Sequence, residues 1–216
     1  MKLLKKEFIL CMHPTGYIMM LMAAFVLIPG YPYTVSCFYM GLAIYFICLT
    51  ARENHDASFT LTLPVSREDA MRARILLCCA LELAQLVLMG LMILIKKAIG
   101  TMPNPAGLDA GIALIGDALI TYAIFNMIFF PRYYRDINKP GAAFLWASVA
   151  VFVWIVAVIV GTYALPFFRD VLDRPDPEHM SDKLLFTLGG LALYAAGTVL
   201  AERKSAKKFA EVDLHL

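Results

Sequence analysis

The chain has 216 residues, of which 61% are hydrophobic and 17% charged, with a mean hydropathy of +0.71 and a formal net charge of +2. One small water-soluble core could not bury so much apolar side chain, and the apolar residues fall in blocks of membrane-spanning length. The small net charge gives no footing for a nucleic-acid partner, and most charges lie between the apolar blocks.

Residues 1–13 come first. "KLLKKEFILCMH" places Leu4, Phe8, Cys11 and Met12 on one helical face, with Lys2, Lys5, Lys6 and His13 mostly elsewhere. This predicts an amphipathic helix lying in the membrane interface and broken before Pro14. The lysines resemble the start of a signal peptide, but "HPTG" interrupts the apolar run and no small-x-small cleavage site follows. The segment is therefore read as retained.

A hydrocarbon core of about 30 Å needs about 20 apolar helical residues. The expected architecture is all-α, a polytopic membrane protein forming a single transmembrane domain over residues 1–216, with six spans. They run Gly16–Pro29, Thr34–Thr50, Ile75–Ile95, Gly111–Phe130, Ala142–Leu165 and Leu184–Ala201. The first is short, and "PGYPY" after it allows only a tight hairpin. Pro166 ends the fifth, and Tyr31, Tyr33, Tyr133, Tyr134 and Tyr163 lie near span ends, as aromatic-belt residues do.

Six spans send the loops to alternate sides. One set holds Lys2, Lys5, Lys6, Arg52, Arg67, Arg72, Arg74, Arg132, Arg135, Lys139, Arg203, Lys204, Lys207 and Lys208, which is fourteen basic residues. The other holds five: Lys96, Lys97, Arg169, Arg174 and Lys183. The positive-inside rule therefore puts both termini, the block 52–74 and the tail 202–216 in the cytoplasm.

Within that block, Ser66 stands three residues before Asp69 with Glu68 between, a capping-box-like helix start with acids in the first turn. The helix should continue through "AMRARILL" into the third span. Upstream, "ENHDASFTLTL" can extend the second span as helix until Pro64 forces a break. The expectation is two arms bent at Leu63, Pro64 and Val65, with Phe59 and Leu63 as i,i+4 neighbours on an apolar face outside the membrane. An ordinary solvated loop is one reading. A docking element for a cytoplasmic partner is the other, with Phe59, Leu61 and Leu63 apolar and Glu53, Asp56, Arg67 and Asp69 setting orientation.

Residues 53–77, "ENHDASFTLTLPVSREDAMRARILL", resemble the signature of the short permease subunits of type-2 ATP-binding-cassette exporters. In that family an acid ends the second span, "LPVSR" or a near variant follows, and a basic residue opens the third. "AMRAR" stands where the family more usually carries a Lys-Tyr pair. "SAKKFAEVDL", residues 205–214, is similar to the family's tail. In size and loop economy the chain is similar to permeases that export amphipathic peptides such as phenol-soluble modulins and bacteriocin-like peptides. The resemblance implies a homodimer or a pair of related permease chains in the lipid bilayer, in a bacterial cytoplasmic membrane, with two copies of a cytoplasmic ABC ATPase. The chain has no G-x-x-x-x-G-K-[ST] loop, so ATP and Mg would be bound by the partner ATPase and this chain would hold no cofactor of its own.

Two carboxylates fall inside predicted spans. Glu82 lies about two turns into the third from the cytoplasmic side, and Asp117 about two turns into the fourth from the other, so both come near the midplane. Gln85 shares Glu82's face, and no Lys, Arg or His lies deep in any span. Such a group costs roughly 3 kcal/mol or more at the bilayer centre. They read as hydrogen-bonded glue with Gln85, Asn126, Thr121 or Tyr122, as an acidic pathway surface, or as a proton relay in an ATP-independent carrier. A membrane scaffold that transports nothing is a third functional class. Five cysteines form no C-x-x-C and lie mostly in apolar segments; the four histidines have no ligand spacing, so no metal site is expected. No hydrolase or transferase constellation is present, and the chain is not expected to be an enzyme.

Overall fold

The computed structural model describes residues 2–100 and 103–212, among which every regular element is helical. Helix α1 (Lys2–Lys6) passes into a π-helical turn (Glu7–Cys11), and α2 (Pro14–Met20) into a 3-10 segment (Leu21–Leu27). There follow α3 (Val35–Glu53), α4 (Asp56–Leu61), α5 (Arg67–Ile99), α6 (Ile112–Tyr133), α7 (Pro140–Ala164), a second π turn (Phe168–Leu172) and α8 (Met180–Ala210). Helices α3, α5, α6, α7 and α8 are long and apolar enough to cross a membrane. The chain bends by 88° between Leu3–Cys11 and Pro14–Leu27, and this bent pair taken together is a sixth candidate span.

The segment after the bend is short in residues and not in reach. Seven α-helical residues followed by seven 3-10 residues extend about 25 Å, because the tighter helix rises about 2.0 Å per residue. Pro14 supplies the first helical position, where its missing N–H costs nothing, and His13 Nδ1 accepts from Thr15 N at 3.2 Å. The expected amphipathic face is altered: the π turn rotates the register, so Cys11 turns inward while Phe8, Ile9 and Leu10 are exposed.

α5 starts as the sequence predicts, with Ser66 Oγ accepting from Asp69 N at 3.0 Å, and ends at Gly100, whose φ of 71° closes the helix through a bond to Lys96 O. The upstream arm differs from expectation. It is not continuous with α3: Asn54 ends that helix, His55 takes a left-handed conformation (φ 50°), and α4 begins on a new axis.

α6 is the buried centre. It lies against α8 at backbone distance, since a Cβ on Gly190 would sit 2.5 Å from the Gly116 carbonyl oxygen. Small residues permit such an approach in lipid. α7 and α8 turn most of their side chains outward, including Trp146, Phe152, Leu185 and Leu193.

The connections gather into two groups. Residues 2–13, the α3–α5 connection, the α6–α7 loop and the tail share one end, joined by bonds such as Arg52 Nη1 to Asn138 O and Arg72 Nε to Glu202 Oε1 (2.7 Å). At the other end Lys96 Nζ reaches Tyr33 Oη (2.7 Å) and Asp109 Oδ1 (2.8 Å), and Lys183 Nζ reaches Asp176 Oδ1 (2.9 Å). The loop sets inferred from six crossings are therefore the sets that meet in space. Residues 213–216 of the expected tail lie outside the described residues.

Candidate functional site

At the end that holds the N-terminal helix, four charged side chains interlock, one each from α1, the π turn after it, α4 and α5. Asp56, the first residue of α4, accepts from Lys6 Nζ at its Oδ1 and from Arg74 Nη2 at its Oδ2, each at 2.6 Å. Arg74 Nε also donates to Glu7 Oε2, and Lys6 Nζ to Glu7 Oε1 (3.1 Å) and Thr60 Oγ1 (2.7 Å). Two acids meet two bases, so the group is neutral. The side chains of Arg74 and Glu7 are almost fully buried, at 6% and 2% exposure. Burial alone would raise the Asp56 pKa, but Arg74 and Lys6 outweigh it and hold the carboxyl below its ordinary range.

Ligating atoms of Glu7, Cys11 and Asp56 lie within 4.8 Å of one another. The donor set does not fit a divalent ion, because Arg74 already donates to all three residues and Lys6 to both acids.

The structure distributes the seven block residues unevenly. Phe59 (58% exposed) and Leu63 (44%) project from the surface, and Glu53 is exposed beside Arg52. Leu61 lines a small cleft with Met71, Tyr134 and Phe209. Asp56 points inward, to the ionic cluster. Asp69 is spent on the α5 cap, accepting from Ser66 Oγ at 2.6 Å. Arg67 donates to the carbonyls of Phe209 (3.2 Å) and Val212 (2.7 Å), tying the start of α5 to the tail. Sequence reasoning missed Lys6, Glu7 and Arg74 as a unit; the available signal was an arginine abutting "ILLCCAL" and an acid on the amphipathic helix.

The intramembrane polar groups are wholly buried within one chain. Glu82 Oε2 accepts from Asn126 Nδ2 (3.0 Å) and Tyr194 Oη (2.7 Å). Asp117 Oδ2 accepts from Thr34 Oγ1 (2.5 Å) and its Oδ1 from Trp154 Nε1 (2.9 Å). Gln85 donates to the carbonyls of Met19 (3.2 Å) and Ser36 (3.1 Å) and accepts from Tyr122 Oη. Of the partners expected for the two carboxylates, Asn126 is found, on Glu82; Tyr122 and Gln85 bond each other, Thr121 bonds the backbone of Asp117, and Thr34, Trp154 and Tyr194 are partners the sequence did not suggest. None of the three polar residues is exposed on the surface of the single chain, and their bonds join α2, α3, α5, α6, α7 and α8.

Residues 2–200 match the family model described as ABC-2 family transporter protein. No curated protein and no solved structure matches the chain.

Proposed function

The chain belongs to the ABC-2 transporter family and is the permease component of an ABC transporter, and from that premise we propose that it exports an amphipathic peptide, driven by a separate ATPase. The observation that carries the coupling role is α4: a short helix outside the spans that exposes Phe59 and Leu63 while its first residue is fastened to Arg74 and Lys6. An apolar pair on a rigid mount fits a groove on a soluble partner, and a mount tied to α5 passes motion into the bundle. The fourteen basic residues gathered at this end orient it to the cytoplasm, where two ATPase copies bind ATP and Mg. Two permease chains, identical or related, enclose the pathway. The peptide class rests on the likeness of residues 53–77 and 205–214 to permeases of amphipathic-peptide exporters.

The test is copurification of the ATPase encoded alongside, followed by hydrolysis with an amphipathic helical peptide or its scrambled counterpart. Binding of the ATPase and stimulation by the amphipathic form are expected. Failure of the ATPase to bind removes the coupling role, and equal stimulation by both peptides removes the substrate class.

A further inference from the structure

Glu82 uses its two oxygens differently. Oε2 takes both donors, Asn126 Nδ2 and Tyr194 Oη, whereas Oε1 is buried with no partner. Asn126, which gives its amide N–H to Glu82, also has a buried Oδ1 with no partner. Asp117 is arranged otherwise, with one donor on each oxygen, as an acceptor-only carboxylate would be. Two bare acceptors on side chains already joined by a hydrogen bond lack one proton between them, and each unsatisfied buried acceptor carries a desolvation cost. A neutral carboxylic acid has the complementary pattern: its carbonyl oxygen accepts, and its hydroxyl donates.

We infer that Glu82 is a neutral acid that donates from Oε1 to Asn126 Oδ1, closing an acid–amide pair that binds one dissociable proton where α5, α6 and α8 meet. The surroundings offer no other compensation. The titratable groups facing Glu82 are Cys78 and Cys79 on its own helix, Tyr122 on α6, Tyr194 on α8 and Cys37 on α3. None is cationic, and among the described residues no Lys, Arg or His pairs with Glu82. Release of the proton would leave a buried charge without a counter-ion, so the three helices would have to part enough to admit water or a cation. The proton is thus a ligand of the joint, taken from water and returned to it, with no covalent bond changed besides its own O–H.

Infrared spectroscopy of the whole protein in membranes at pH 7 tests this. A protonated-carboxyl band should be present, should shift when glutamate alone is 13C-labelled, should persist in Asp117→Asn and should vanish in Glu82→Gln. The other glutamates, Glu7, Glu53, Glu68, Glu178, Glu202 and Glu211, are ion-paired or exposed, so such a band belongs to Glu82. Glu82→Gln supplies an N–H in place of the acid O–H and should keep the wild-type thermal midpoint, whereas Glu82→Ala should lower it. If Glu82→Gln fails to fold, the labelled wild-type spectrum decides. Absence of a glutamate-derived protonated band at pH 7, or its persistence in Glu82→Gln, overturns the inference.

Discussion

Asp56 and Arg74, eighteen residues apart, meet at 2.6 Å across the break between α4 and α5, and the same guanidinium reaches back to Glu7. One buried arginine therefore fixes two separate elements to the base of α5. Each of those elements is too short to hold a position by its own helical hydrogen bonds.

Arg74→Met leaves Glu7 and Asp56 with Lys6 as the one cation that pairs with them among the described residues. Removing one partner from a buried ionic group costs about 3–5 kcal/mol, because the remaining charges keep their desolvation penalty. The thermal midpoint in detergent should fall, and Cys11, buried beside Arg74, should become reactive toward maleimide as the N-terminal helix lifts. The double variant Glu7→Gln/Arg74→Met should lose less than the sum of the singles, since the two side chains share one interaction. An unchanged midpoint and an unreactive Cys11 would refute the clamp.

Asp56 gives the clamp a pH signature. Its folded pKa lies below the ordinary value of 3.8, so its contribution is complete above that pH and is lost as the pH falls through the folded value. The stability margin of wild type over Asp56→Asn should thus be constant from neutral pH down to about 5 and should narrow below about 4. Melting curves of the two proteins across that range measure it. A margin that widened on acidification would reverse the sign and remove Asp56 from the ion pair.

The span pattern and the α5 start were legible because each depends on near neighbours: apolar blocks and the Ser66 cap. The shortness of the first crossing was visible, but its remedy was not, since the 3-10 segment Leu21–Leu27 has no residue that distinguishes it from an α-helix. His55 was equally opaque; a left-handed histidine is a local cost accepted because it lets Asp56 face Arg74. The partners of the buried carboxylates came from far along the chain, Tyr194 lying 112 residues from Glu82 and Thr34 lying 83 from Asp117. Polar pairing at such separation depends on how the helices are arranged, which periodicity does not specify.

Orientation is tested by reporters that work on one side of the membrane alone. Fusions after Leu216 or within residues 51–74 should report the cytoplasm, and one between Arg169 and Lys183 the outside, because the basic residues divide fourteen to five. An external C-terminus would reverse the proposed docking face as well.

The exposed pair on α4 gives the sharpest test of coupling. Phe59 makes little packing within the bundle, so Phe59→Ala should leave insertion and thermal stability near wild type. If Phe59 is an anchor in an ATPase groove, truncation should cost about 2 kcal/mol or more of binding, enough to release the ATPase during purification. Arg67→Ala should behave differently. Its guanidinium is engaged by the tail carbonyls of Phe209 and Val212, so the ATPase should remain bound while substrate-stimulated hydrolysis falls. Copurified ATPase per permease and stimulated hydrolysis, measured on both variants, separate attachment from transmission. Full binding and full stimulation in Phe59→Ala would reduce α4 to a connector between α3 and α5, with the ionic cluster serving the fold alone.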